Sequence, residues 1–196
     1  PAGVLPRVEL PEGARLVRHA DQKNHGIAAS LNAGIAAMRP PWFCWLSSDD
    51  LLDPRKVEIQ QAALIQSGLR AGFTGYHVIN TEGQLWKLYA NLPAWRTRTE
   101  QQAMLAEGCC INGSTAMIHR SVFDRVGRFD ESFRYGQDWE MWCRIGEHFI
   151  WHRTTEILGT RREGENLTAA IAVDPVRQAV RDAEDARIRE TYRRVG

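Results

Sequence analysis

Residues 42–46 form an unbroken apolar run, Trp-Phe-Cys-Trp-Leu, between a proline and a serine. A run this short is typical of a buried β-strand. Before it, Ile27, Leu31, Ile35 and Met38 recur at the spacing of a helix face. A buried strand that follows a helix, in a chain long enough for one substantial core, predicts an α/β domain.

The remaining segments extend this alternation over the 196 residues. Strands are predicted at 14–19, 73–80, 85–89, 114–119, 149–153 and 156–160, and the second and third of these form a hairpin. Helices are predicted at 53–66, 100–107, 121–126, 137–147 and 175–194. We expect one α/β domain over residues 1–170, followed by a charged helix within 171–196.

Composition excludes several classes of protein. The net charge of +1 gives no electrostatic reason to expect a nucleic-acid partner. No apolar run is long enough to cross a bilayer. The four cysteines contain no CxxC pair, so a zinc site is not expected. These features predict a cytoplasmic protein in a reducing compartment. The mixed charge of the last helix is typical of a solvated face, with docking on a membrane surface as the alternative.

Two acidic residues, Asp49 and Asp50, follow the apolar run directly. In open α/β sheets, ligands bind beyond the carboxyl ends of the strands. Adjacent carboxylates at such an end can hold Mg²⁺ or Mn²⁺, and that ion can neutralise a diphosphate leaving group. The alternative is a solvated turn whose acids favour the start of the next helix.

A second acidic site, Asp138, lies at the start of the helix predicted at 137–147. A carboxylate there can act as a general base toward an attacking hydroxyl. The alternative is that Asp138 caps the helix while Trp139 and Trp142 pack in the core.

Five segments in order resemble family 2 glycosyltransferases, which are inverting enzymes with the GT-A fold. They are the loop and helix at 24–34, the Ser-Ser-Asp-Asp turn with Asp53-Pro54, the strand and hairpin at 73–83, the stretches at 113–120, 126–131 and 136–139, and the arginine-containing stretch at 161–168. The resemblance implies a Rossmann-related mixed sheet flanked by helices. The family's usual first strand and nucleotide-base pocket are not found, so an N-terminally incomplete domain is expected.

The resemblance also implies roles for individual residues. Asp50 matches a ligand of Mn²⁺ or Mg²⁺, Asp49 assists it or holds the donor's ribose, and Asp138 matches the catalytic base. Asn32, Arg161 and Arg162 are implied in donor binding, the arginines facing the diphosphate. The donor is a nucleotide sugar, and the acceptor is a saccharide or a lipid-linked saccharide.

Two positions depart from the family's pattern, because Ser47 replaces a frequent Asp and Glu163 replaces a frequent His. Two other functions stay open. One is a non-catalytic carbohydrate- or nucleotide-binding remnant, although such a module does not need a base. The other is a nucleotidyltransferase, but the Gly-rich basic phosphate loop that this class uses is not found in the sequence.

Overall fold

The structure, a computed structural model, describes residues 12–21, 23–89, 93–164 and 166–193. In chain order its elements are α1 (Ile27–Ala37), β1 (Trp42–Phe43), β2 (Leu51–Leu52), α2 (Lys56–Ser67), β3 (Ala71–Ile79), β4 (Leu85–Tyr89), α3 (Arg98–Glu107), a 3₁₀ turn (Gly113–Thr115), β5 (Met117–His119), α4 (Arg120–Val126), α5 (Gln137–Gly146), β6 (Trp151–Arg162), α6 (Leu167–Val173) and α7 (Pro175–Tyr192).

The strands form one mixed sheet, in the order β1-β5-β3-β6-β2, with β4 paired to β3. The two long central strands, β3 and β6, are parallel, and the other pairs are antiparallel. The carboxyl ends of β3 and β6 therefore meet at one edge. The predicted α/β architecture is confirmed.

The link between β1 and β2 determines where the acidic turn lies. These two strands stand at opposite ends of the sheet order, so residues 44–50 cross the sheet to connect them. The backbone N–H of Arg162, at the carboxyl end of β6, donates to Asp50 Oδ1 at 3.2 Å. The acidic turn thus passes over the edge at which open α/β sheets bind ligands.

An aromatic cluster fills the core beside α5. Trp142 is fully buried, stacks on Trp45 with ring centroids 5.6 Å apart, and meets Trp151 edge-on at 5.0 Å. Its indole N–H donates to the carbonyl of Ile111 at 3.1 Å. Because its apolar surface is buried and its polar group is paired, Trp142 fixes α5 firmly against the sheet.

Several predicted elements differ from the structure. Residues 14–19 form no strand: they have no regular structure, and Leu16 and Val17 are exposed, since no described strand pairs with them. The strand predicted at 42–46 is only two residues long, because the chain leaves the sheet after Phe43 and exposes Leu46. The strands predicted at 149–153 and 156–160 are one strand, β6, which stays paired to β3 through register shifts.

Helix ends also show differences. Asp53 lies before the first turn of α2, which begins at Lys56. The cap of α4 is His119, not Ser121, and α6 has no counterpart among the predicted helices. The last helix begins as expected after its cap, Asp174, but it is not only a solvated face, since Ile188 of α7 belongs to the core. Within the described residues, no helix combines the length and apolarity needed to cross a membrane.

The core packing generates a first prediction. Trp142→Ala is expected to lower the free energy of unfolding by about 3–5 kcal/mol, since it deletes a fully buried aromatic and leaves a cavity. Trp86→Ala is the matched control, because Trp86 on β4 is 61% exposed. Urea denaturation measures both variants, and equal losses in the two would contradict the packing described.

Candidate active site

A cleft of about 970 Å³ opens at the sheet edge where β3 and β6 end. Residues 45–50 and 109–114 form part of its wall, together with side chains from the end of β6, the start of α5 and the middle of α7. Its lining includes the predicted residues Asp49, Asp50, Asp138, Arg161 and Arg162. The structure thus brings together predicted residues from three segments that are far apart in the sequence, at positions 49–50, 138 and 161–162.

Asp50 is the more constrained of the two acids in the crossing turn. Only 8% of it is exposed, and Ser114 Oγ donates to its Oδ2 at 2.7 Å. With the Arg162 N–H on Oδ1, both carboxylate oxygens accept a hydrogen bond. Burial raises the pKa of Asp50, and the neighbouring charge of Asp49 adds to the increase, against the opposing effect of these hydrogen bonds.

The position of Ser114 follows from the close approach of the Gly113 backbone to the Trp45 ring. A Cβ on Gly113 would lie 2.0 Å from Trp45 Cζ2, so only glycine fits beneath that ring. The side chain of Asn112 accepts from the Ser114 N–H at 3.0 Å and closes the turn. The aromatic core and the acidic site therefore share Trp45 as a wall.

Asp138 lies in the first turn of α5, on the cleft side. The helix begins at Gln137 with Gly136 at the N-cap, so the alternative that Asp138 caps this helix is wrong. Trp139 and Trp142 are buried in the core, as that alternative also predicted. Burial raises the pKa of Asp138, although the Trp139 N–H, 2.8 Å from Oδ1, and the charge of Arg181 act in the opposite direction.

The two arginines differ in how their guanidinium groups are held. Arg162 Nη1 donates to the carbonyls of Asn80 and Thr81, at 3.1 and 3.2 Å, which ties the end of β6 to the hairpin turn. Arg161 lines the cleft and forms a 3.6 Å ion pair with Glu163. Glu163 thus serves as a partner for Arg161.

Asn32 is not among the residues that line the cleft. Its Nδ2 donates to the Phe129 carbonyl at 2.9 Å and to Glu131 Oε1 at 2.8 Å, and its Oδ1 accepts from the Phe129 N–H at 3.0 Å. Because these three bonds engage both N–H groups and the oxygen of the amide, the structure gives Asn32 a role in holding the 129–131 loop and separates it from the other predicted residues.

Sequence reasoning missed two residues of the cleft, Ser114 and Arg181. The sequence signal for Ser114 was the adjacent Asn112-Gly113 turn. Arg181 lies on α7, and the many charged residues of this helix predict a solvated face for each of its arginines. Within the described part of the chain, no group of three or more His, Cys, Asp or Glu side chains could hold a metal. Asp49 and Asp50 are two adjacent carboxylates in the lining of the cleft.

Comparison with known proteins places this architecture in a family. Residues 8–127, more than half of the chain, match the model "Glycosyl transferase family 2". Uncharacterized glycosyltransferases of Rickettsia prowazekii and Rickettsia typhi are 31% and 32% identical to it over 129 residues, which is 63% of this chain. The chain spans 40% of the length of each of these relatives.

The fold has a solved counterpart in a crystal structure of S. aureus TarS, residues 1–349. The TM-score is 0.56 at 10% sequence identity, over 70% of this chain and 40% of that one. At this identity the likeness concerns the fold alone, and it agrees with the expected GT-A-like mixed sheet. The family model, the relatives and the fold agree, and the chain belongs to glycosyl transferase family 2.

Proposed function

We propose that this chain transfers a sugar from a nucleotide-sugar donor to an acceptor hydroxyl, with inversion at the anomeric carbon and with help from a divalent metal ion. The observation that carries the proposal is the placement of Asp50 and Asp138 in one cleft. They come from different elements, and burial raises the pKa of each. Raised carboxylate pKa values in a cleft are a mark of functional sites.

The pair Asp49 and Asp50 fits a hard divalent ion. Mg²⁺ is commonly bound through one or two carboxylates together with substrate phosphates, so a third protein ligand is not required. Asp50 is buried beside a like charge, an arrangement that a cation would stabilise. When bound, Mn²⁺ or Mg²⁺ would neutralise charge on the diphosphate leaving group.

Asp138 suits the role of base. A general base works best when its pKa approaches the operating pH, and burial moves the pKa of Asp138 in that direction. In the proposed reaction Asp138 takes the proton of the acceptor hydroxyl. The oxygen then bonds to the anomeric carbon as the bond to the diphosphate breaks, through an oxocarbenium-like transition state. A single displacement from the opposite face inverts the configuration.

Of the three arginines that line the cleft, Arg161 is the best placed to meet the leaving group. Its ion pair with Glu163 is long, at 3.6 Å, whereas Arg162 is held by backbone carbonyls and Arg181 by Asp185 at 2.7 Å. Guanidinium groups bind phosphate oxygens well. The nature of the acceptor, a saccharide or a lipid-linked saccharide, stays a prediction from the family resemblance. The cytoplasmic location and the domain boundary at residue 170 stay predictions as well.

The proposed role of Asp138 as base can be tested by measuring turnover. Asp138→Asn should lower the release of nucleoside diphosphate from UDP-glucose, GDP-mannose or dTDP-rhamnose, with water as the acceptor of the sugar, about 10²–10⁴-fold, since the amide cannot take the proton of the attacking hydroxyl. The control is Asp182→Asn, which changes an exposed carboxylate of α7. Turnover by Asp138→Asn at the wild-type rate would rule out the base. A protein that binds these donors without turning them over would be the non-catalytic binding remnant.

The burial of Asp50 generates a prediction about pH. Because its pKa is raised in the folded chain, the folded state holds the proton more tightly than the unfolded state. This contribution to stability is complete below the ordinary aspartate pKa of about 4 and is lost as pH rises through the raised value. Without divalent metal, Asp50→Asn should therefore melt at a higher temperature than the wild type at neutral pH.

The difference in melting temperature between Asp50→Asn and the wild type should shrink as the pH falls, because the wild-type carboxyl then becomes neutral as well. Thermal unfolding in a chelating buffer across the acidic to neutral range measures it, with Asp182→Asn as the exposed control. An Asp50→Asn chain that is less stable than the wild type at neutral pH would show that the carboxylate is not costly where it lies.

A further inference from the structure

Helix α7 holds the segment that leads into α5. Glu184 of α7 is 8% exposed, and its carboxylate accepts three successive backbone N–H groups. Oε1 accepts from Arg134 at 2.6 Å, and Oε2 accepts from Tyr135 at 2.9 Å and from Gly136 at 2.8 Å. Bonds from N–H groups to an ionised acceptor are roughly twice as strong as neutral ones. The last of the three donors lies two residues before Asp138.

Helix α7 packs closely against the segment that leads into α5. A Cβ on Gly136 would lie 3.1 Å from Ile188 Cδ1 and 3.5 Å from Glu184 Oε2. Ile188 is 1% exposed and belongs to the core. Gly136 therefore lets α7 approach closely, and any displacement of the loop must also disturb the core.

Two arginines of α7 hold the same loop on either side of Glu184. Arg187 donates to Ser132 Oγ at 3.1 Å and to Asp130 Oδ2 at 3.2 Å. Arg181 donates to the Tyr135 carbonyl at 3.4 Å and lines the cleft with Asp138. The helix thus contacts the loop along its length, with Glu184 at the centre.

We propose that Glu184 is a positioning residue for the reaction: by binding the N–H groups of residues 134–136 it fixes the start of α5 and, with it, the direction of the Asp138 carboxylate. This inference rests on the proposed role of Asp138 as base. Small displacements of a reacting group cost large factors in rate, so the accuracy of this loop bears on turnover.

The carboxylate of Glu184 is suited to this task in a way that an amide is not. Glu184→Gln can keep only one acceptor oxygen, and its NH₂ group then faces an N–H donor where an oxygen stood. Glu184→Asp keeps the charge but is one methylene shorter, so it withdraws from the three donors. The second variant is the milder one and serves if Glu184→Gln does not fold.

Hydrogen exchange tests the contact without any donor. In the wild type the amides of residues 134–136 should exchange slowly, and in both Glu184 variants they should exchange much faster. Asp182→Asn, which removes an exposed carboxylate from the same helix, should leave them protected. Unprotected amides in the wild type, or equal exchange in the wild type and the variants, would overturn the inference.

A double-mutant cycle on nucleoside diphosphate release from the same three sugar nucleotides tests the link to Asp138. Glu184→Gln should lower kcat about 10–100-fold and leave the donor KM unchanged. In the Asp138→Asn background it should cause no further loss, since the group that it positions is gone. An equal loss in both backgrounds would make Glu184 merely structural and overturn the inference. Wild-type turnover by Asp138→Asn alone would instead count against the proposed function.

Discussion

The site depends on the packing of helix α5 against the sheet. Trp139 and Trp142 are buried on one side of this helix, and the indole of each donates to a backbone carbonyl of a neighbouring segment. With both rings fixed, the helix cannot rotate, and Asp138 in its first turn stays at the cleft. Trp142 also stacks on Trp45, the ring that requires glycine at position 113 and so sets the place of Ser114 and Asp50. One aromatic cluster thus supports both acids.

This arrangement buries carboxylates at the cleft, where their charge lowers the stability of the fold. Asp50 and Asp138 are held in surroundings that disfavour their charge, and the hydrogen bonds to Asp50 offset only part of that cost. Carboxylates kept in such surroundings are typical of sites whose function opposes stability. The rest of the molecule compensates through its buried apolar core and through backbone contacts such as those of Glu184.

The sequence was informative wherever a local signal coincided with the tertiary arrangement. The helix period of α1, the hairpin of β3 and β4, and the acids placed after an apolar run or at a helix start were all predictable from spacing. Strand lengths were not predictable from spacing. Strand β1 ends where the chain leaves the sheet toward the cleft, and β6 stays continuous because it pairs with β3.

Side-chain roles that depend on distant partners were also beyond local patterns. Asn32 looked like a donor contact, but its amide bonds to a loop 97 residues away. Glu184 looked like one more charge on a solvated helix, because its three partners lie about fifty positions earlier in the chain. Only the fold reveals that this carboxylate faces backbone donors.

In the proposed reaction Asp50 holds the metal ion that binds the donor, and Asp138 takes the proton of the acceptor. The most direct test is thermal stabilisation by UDP, GDP and dTDP, each with and without Mn²⁺, in the wild type, Asp50→Ala and Asp138→Asn. A ligand that binds only the folded state raises its apparent stability. These two roles imply a Mn²⁺-dependent shift in melting temperature with one nucleotide, a shift that is lost in Asp50→Ala and kept in Asp138→Asn. A shift that persists in Asp50→Ala, or no shift with any nucleotide, would contradict the role of Asp50.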